Sequence, residues 1–541
     1  ENAATVEFVN TYNAEGGLAI SVQKEVVSST DTTKKLDIPT DKSFEFVLYK
    51  GKKSTDRNTE VESIYSPSSG SVSSFENIFY TAADIGNTFY YQVREKKDST
   101  KTWYMYSEDY YDIDVTVKDG GEGKLSIIKT IYKNGEKTQE VTDDTPLTFL
   151  FTNKYKAAGS ITLKATKTLS GKKLKNEQFT FELYAKGSNT LLGTATNKDG
   201  EVTFETLNFN ESQLGTHEYV IREVQNKNST STMDGRSYGY VYAKDINVTV
   251  TVSEGEAGAN GRNGTLTVKA FYDGKESCTL ENKYTAKGNK TLTVDKKLEG
   301  RTLNDTNTKD FTFVLTPADN KTPAASQATA TVDKKTGKAI FNLEYTEKDA
   351  GKQYTYTLSE RDDQKAGYEY SEATYRVEVS IADTKDNGEL DVTMAVKDAD
   401  GKLLGENEMP SFTNSYEAKD SLSLTAKKKV TGKDATGEKF TFALLDESST
   451  YKTDENGKIL SVENPKAQET VTVTGTTGEV TFPEISYTKN KEIDETGTHV
   501  YRVVELKGSD TGYDYSSTIY TVTVKVSDPG TGKLNVEKTI S

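Results

Sequence analysis

A chain of 541 residues is too long for one hydrophobic core and suggests about three to five domains. Only 33% of its residues are hydrophobic, but 32 Tyr and 20 Phe exclude a disordered chain, because disordered segments are poor in aromatics. A net charge of −15 disfavours nucleic acid and anionic membrane surfaces as partners, and its plainest effect is solubility.

The elements are strands, read in chain order. "FVNTY" (8–12) opens the chain and resembles the last strand of a repeat lying upstream. Next comes "LAISVQKEV" (18–26), an alternating strand holding Lys24. Phe44-Phe46-Leu48 follows as F-x-F-x-L, then "GNTFYYQVRE" (86–95), which closes on Glu95. Y-x-Y at Tyr104 and Tyr106 leads into a V-x-V strand, and "FTNKY" (151–155) ends the unit with Asn153.

The same landmarks return three times. The lysine strands are "ITLKATKTL" (161–169), "LTVDKKL" (292–298) and "LSLTAKKKV" (422–430). The glutamate strands are "GTHEYVIRE", "GKQYTYTLSE" and "GTHVYRVVE". The asparagine motifs are "LENKY" (280–284) and "FTNSY" (412–416), and the fourth copy lacks one. The expected divisions are 1–14, the last strand of an upstream repeat; 15–156; 157–286; 287–417; and 418–541. Each full copy is domain-sized, and short alternating strands between turns such as "NKDG" suggest a β-sandwich.

Strand alternation places certain polar residues on the apolar face. Lys24, Lys167, Lys296 and Lys428 are in phase with Ile20, Leu163, Val294 and Leu424, whereas Lys164 and Lys429 fall on the solvent face. Glu95, Glu223, Glu360 and Glu505 are in phase with Tyr91, Ile221, Leu358 and Val503. Asn153, Asn282 and Asn414 follow the same rule. A buried amine or carboxylate costs several kcal/mol unless it is paired or neutralised. Two readings stand side by side. One is a buried Lys–Glu ion pair hydrogen-bonded to the Asn. The other is attack of the lysine amine on the Asn amide, forming an isopeptide bond and releasing ammonia. An apolar pocket favours the reaction by lowering the Lys pKa and raising that of Glu. The protonated Glu is expected to hydrogen-bond the Asn carbonyl and move protons.

The Lys strand, the Glu strand and the "FTNxY" strand together resemble the streptococcal pilin isopeptide-linkage domain, a family related to the Cna B-type domains of Gram-positive surface proteins. The resemblance covers essentially the whole chain. It implies an all-β architecture of tandem immunoglobulin-like sandwiches in an elongated rod. It also implies Lys–Asn bonds between first and last strands, promoted by the Glu: Lys24 with Glu95 and Asn153, Lys167 with Glu223 and Asn282, and Lys296 with Glu360 and Asn414. Lys428 and Glu505 lack an Asn, and Asn10 lacks a Lys and a Glu. Each Asn stands 14 residues before the next such Lys, as Asn153 before Lys167, so the domain junctions are short and constant.

The remaining candidates read as structural. His217 and His499 occupy matching "GTH" turns with no third metal ligand. The acidic loops at 109–119 and 383–391 lack a D-x-D-x-D-G calcium pattern and read as solvated turns. The Y-x-Y pairs read as packing rather than as a sugar platform. Cys278, the single cysteine, can form no intramolecular disulfide and has no assigned role. No metal or cofactor is expected, and no stretch is apolar enough to span a membrane.

The chain opens without a signal peptide and ends on "VEKTIS" without a wall-sorting tail, and is read as an excerpt of a longer, extracellular, wall-anchored protein. The expected role is a monomeric, tension-bearing stalk whose partners are its own neighbouring repeats. It would be no enzyme beyond a single self-directed turnover. The rivals are a module gripping a host protein or glycan through insertions such as 50–70 or 446–470, and a polymerising pilus shaft subunit.

Overall fold

The computed structural model describes residues 5–38, 42–68, 71–142, 145–256 and 262–541. Residues 1–4 of the expected opening strand and 69–70 of the first insertion lie outside these. The fold is all-β with tandem domains; among the described residues the only helices are three 3₁₀ turns, such as Glu211–Gln213. The chain divides into two compact units, Glu1–Asn226 with Val241–Lys283, and Lys227–Tyr240 with Tyr284–Ser541.

In the first unit, the lysine strand of repeat 1, Ile20–Ser28, runs parallel to the asparagine strand, Leu147–Tyr155. A second sheet contains Glu45–Lys53, Thr88–Lys96, Tyr110–Gly121 and Lys124–Lys133. Phe46 and Phe151 meet between the two sheets, with ring centroids 5.2 Å apart. The stretch at 50–65 extends the second sheet, because Asp56–Tyr65 pairs with Glu45–Lys53. Repeat 2 repeats the plan: Ala158–Ser170 runs parallel to Thr279–Thr285, and Gly215–Glu223 lies between Thr180–Ala185 and Ile246–Glu254.

In the second unit, Lys287–Glu299 runs parallel to Ser411–Tyr416, and Phe313 and Phe412 meet across the repeat 3 core with tilted rings, centroids 4.7 Å apart. The lysine strand of repeat 4 is broken into Ala418–Leu422 and Thr425–Lys429. Among the described residues their ladders are with Ile485–Lys489 and Thr477–Thr481, and Lys419 adds an isolated parallel bridge to Lys533. Residues 5–14 join no strand ladder.

Alternation explains which side chains reach the core. In "ITLKATKTL" Leu163, Ala165 and Lys167 are buried, while Lys164 and Thr166 are exposed. Lys429 is exposed as well. Large rings fill the interiors: Tyr91, Tyr155, Tyr284, Tyr356 and Tyr416 are all almost fully buried.

Candidate functional site

Strand register brings each lysine to its asparagine. Lys24 is paired with Phe151 and Val26 with Asn153, so Lys and Asn are diagonal neighbours on one face of a parallel ladder. The same offset recurs with Lys167 opposite Leu280 and Leu169 opposite Asn282, and with Lys296 opposite Phe412 and Leu298 opposite Asn414. Diagonal neighbours lie within reach of a long side chain. The glutamate arrives from the facing sheet, always opposite the second Phe of F-x-F: Phe46 with Glu95, Phe181 with Glu223, Phe313 with Glu360 and Phe442 with Glu505.

One carboxylate then holds both partners. In repeat 1, Lys24 Nζ lies 2.8 Å from Glu95 Oε1 and 2.9 Å from Oε2, and Asn153 Nδ2 donates to Oε1 at 2.7 Å. In repeat 2, Lys167 Nζ is 3.1 Å from both oxygens of Glu223, and Asn282 Nδ2 donates at 2.6 Å. In repeat 3, Lys296 Nζ is 2.8 Å from Glu360 Oε1, and Asn414 Nδ2 donates at 3.1 Å. The Lys and Glu side chains of these clusters are at most 1% exposed. In repeat 4, Lys428 bonds Glu505 at 2.6 Å, but its side chain is 13% exposed. A groove of about 400 Å³ runs beside that pair, lined by Leu424, Phe442, Val504 and Ile540. Asn10 is exposed at the other end of the chain.

Two features escaped the sequence reading. The first Phe of each F-x-F lies over the amine: Phe44, Phe179, Phe311 and Phe440 have centroids 4.3–4.7 Å from Lys24, Lys167, Lys296 and Lys428. The recurrence of F-x-F was visible, but its use as a lid over the amine was not. Y-x-Y tyrosines pack edge-on against these rings, as Tyr104 does on Phe44 at 5.0 Å and Tyr513 on Phe440 at 5.2 Å.

The second feature is a backbone donor just past Y-x-Y. Ser107 N–H donates to Asn153 Oδ1 at 2.7 Å, Ala243 N–H to Asn282 Oδ1 at 2.8 Å, and Ser371 N–H to Asn414 Oδ1 at 2.8 Å. A protonated Glu was expected to hold that carbonyl. A carboxylate only accepts, so it faces the amide NH₂ and leaves the carbonyl to the backbone. Without an Asn, Ser516 N–H donates to Glu505 at 2.9 Å.

Burial sets the electrostatics. Desolvation pulls the Lys24 and Lys296 amines down to about 8 against the opposing pull of their glutamates. Lys167 is lowered by the same cause. Burial raises the carboxyls of Glu95 and Glu360.

The other candidates have structural surroundings. His217 and His499 bond the carbonyls of Gln213 and Glu495 at 2.7 and 2.8 Å. Cys278 is half-buried, its thiol pushed up to about 11 by that burial. Among the described residues no group of three or more His, Cys, Asp or Glu could hold a metal. No helix among them is long and apolar enough to cross a membrane.

Tandem all-β repeats built on this cluster define a class, the pilin-like isopeptide domains. A model of FctA, described as a Spy0128-like isopeptide containing domain, matches residues 20–156, 163–285, 292–417 and 424–541, and the chain belongs to this family. A search of curated proteins returned no match. Among solved structures the chain is similar to the Bacillus anthracis TIE protein, at 13% identity over 95% of this chain and 72% of that one, TM-score 0.21. It is also similar to the major pilin protein (T-13) from Streptococcus pyogenes, at 20% identity over 48% and 93%, TM-score 0.19. A third is the major pilin SpaD from Corynebacterium diphtheriae, at 10% identity over 65% and 89%, TM-score 0.14.

Proposed function

We propose that this chain is a stalk segment of an extracellular Gram-positive adhesin or pilus-like protein, whose repeats cross-link themselves through Lys–Asn isopeptide bonds. The observation that carries the reading is one buried carboxylate bound to both an amine and an amide, three times over.

The chemistry follows from the contacts of repeat 1. Proton transfer from Lys24 to Glu95 gives a neutral amine and a protonated acid, and burial favours this pair over the charged one. The amine nitrogen attacks Asn153 Cγ, and the negative charge that develops on Oδ1 falls where Ser107 N–H already points. Glu95 gives its proton to Nδ2, the atom it already contacts, and takes the proton that the new amide nitrogen loses. The Cγ–Nδ2 bond breaks, ammonia leaves, and a secondary amide joins the two strands. Held together by the fold, the groups have an effective molarity on the order of 10⁵ M or more. Glu95 is regenerated, but the Lys and Asn are consumed, so each complete cluster turns over once.

Intact mass separates the bond from a resting ion pair with the same contacts. The expected result is a chain lighter than its residue sum by three ammonia molecules, one per complete cluster. Glu223→Ala should restore one ammonia and lower the melting transition of repeat 2 alone. A mass equal to the residue sum removes the reading.

A further inference from the structure

The acidic loops that the sequence offers as solvated turns hold a recurrent contact. Tyr12, Tyr155, Tyr284 and Tyr416 each stand two residues past the Asn of the terminal motif. Tyr12 Oη donates to Asp119 at 2.7 Å, and Tyr155 to Glu254 at 2.8 Å. Tyr284 donates to Asp383 at 2.9 Å, and Tyr416 to Asp528 at 2.7 Å. Each acid begins the hairpin turn before a late strand of the repeat that follows the tyrosine.

Two of the turns also give a glycine N–H back to the phenol. Gly388 and Gly532 donate to Tyr284 and Tyr416 at 3.1 and 3.3 Å, and the backbone of Gly123 and Gly264 at the matching positions lies near Tyr12 and Tyr155, where it opposes the rise in the phenol pKa. These four glycines have φ between 76° and 90°, a region that side chains disfavour. Their carbonyls accept from the third residue past each tyrosine: Glu15 N–H to Gly123, Ala158 to Gly264, Lys287 to Gly388 and Lys419 to Gly532.

Packing repeats with the same fidelity. Ala14, Ala157, Ala286 and Ala418, two residues past each Tyr, are at most 4% exposed. In three copies a Gly follows two residues later against the leucine of the turn. A Cβ on Gly159 would lie 2.8 Å from that of Leu266, and one on Gly288 2.8 Å from that of Leu390. Two clasps add an arginine. Arg262 lies 4.9 Å over the Tyr155 ring and 3.0 Å from Glu254; Arg301 lies 5.3 Å over the Tyr416 ring and pairs with Asp528.

We propose that the acid…Gly-x-Leu hairpin of each repeat is a phenol socket, and that its partner is the Tyr-x-Ala strap of the repeat before it. The socket recognises a hydroxyl through a carboxylate acceptor and a glycine N–H, and takes a buried alanine followed, in three copies, by a glycine that its leucine leaves no room to enlarge. A phenylalanine in the strap would leave both polar groups unmet. Within each compact unit, repeats 1 and 2 and repeats 3 and 4 are thereby locked in order by side-chain chemistry as well as by a short connection. The lock does not depend on the isopeptide bond.

The test uses the full 541-residue chain, with hydrogen exchange followed at the 528–534 hairpin. Tyr416→Phe and Asp528→Ala are each expected to speed exchange at Gly532 and Leu534 at least tenfold. The double variant should fall clearly short of the product of the two single effects, because the Tyr416–Asp528 bond is lost in both, while Arg301 and Gly530 lose a partner only with Asp528. Asp528→Asn, which still accepts a hydrogen bond, should stay within about threefold of the parent. Tyr284→Phe should loosen the 383–390 hairpin in the same way. Intact mass should not change in any of them, which separates this lock from the cross-link. Unchanged exchange in Tyr416→Phe overturns the proposal. So does full additivity in the double variant, or equal loosening of the Lys439–Leu445 strand of the same repeat.

Discussion

In the proposed reaction a buried lysine becomes a nucleophile because its surroundings are poor in water, not because its partner is weak. Phe44 covers the Lys24 amine at 4.7 Å and Tyr104 backs that ring, so burial outweighs the pull of Glu95 and the amine falls to about 8. Glu95 moves the opposite way for the same cause. The reactive form holds one proton on the pair, placed on the acid. In acid the pair gains a second proton and the amine is charged. Above about pH 8 the pair loses its only proton, and the departing nitrogen has no acid. Chain purified unfolded and then refolded at graded pH should release ammonia at a level rate near neutrality, with a fall on both sides. A rate that keeps rising through pH 10 would remove Glu95 as the proton donor. The backbone donor is testable separately. Ser107→Pro deletes the N–H that faces Asn153 Oδ1, and should slow bond formation in repeat 1 by about 10²–10³-fold, the usual loss for one such donor. Ser107→Ala keeps the N–H and should match the parent in time-resolved mass spectra.

At the level of strands, period two decides everything about the cluster. Lys24, Glu95 and Asn153 were legible because each stands in phase with apolar neighbours on a strand whose alternation is clear. Exchanging residues 152 and 153, as Thr152→Asn with Asn153→Thr, moves the amide to the opposite face of the same strand. Repeat 1 should then retain its ammonia while repeats 2 and 3 lose theirs, read again by intact mass. The all-β class was legible for the same reason as the lysine phase. What stayed hidden depends on contacts between strands far apart in sequence. Nothing local marks Ser107 as a donor, because its N–H acts through a turn that only the fold aims at Asn153. Asp119 and Asp383 looked like solvated acids because their tyrosine partners lie 107 and 99 residues away. The broken lysine strand of repeat 4 was also unforeseen: the alternation from Leu422 to Val430 is unbroken in sequence, yet the ladder stops at Leu422 and resumes at Thr425.

Across the whole chain, the consequence of the proposed bonds is a load path. Lys24 and Asn153 are 129 residues apart, Lys167 and Asn282 115, and Lys296 and Asn414 118. Because loop entropy grows only with the logarithm of length, each bond constrains the unfolded state by a similar amount, roughly 5 kcal/mol. Force behaves differently from heat. A pull on the two ends enters each repeat by its lysine strand and leaves by its asparagine strand. An amide between those two strands carries the load past every residue between them. Within residues 418–541, Lys428 and Glu505 have no counterpart of the asparagine motif that closes the other repeats, so no amide shunts that core. A single parent molecule stretched from its ends should therefore give one unfolding step, with a contour gain matching repeat 4 alone. The Asn153→Ala, Asn282→Ala, Asn414→Ala variant should give four steps, three of them longer than any the parent permits. Four full-length steps in the parent would mean that load reaches the interior of every repeat, and that the strands are not covalently joined.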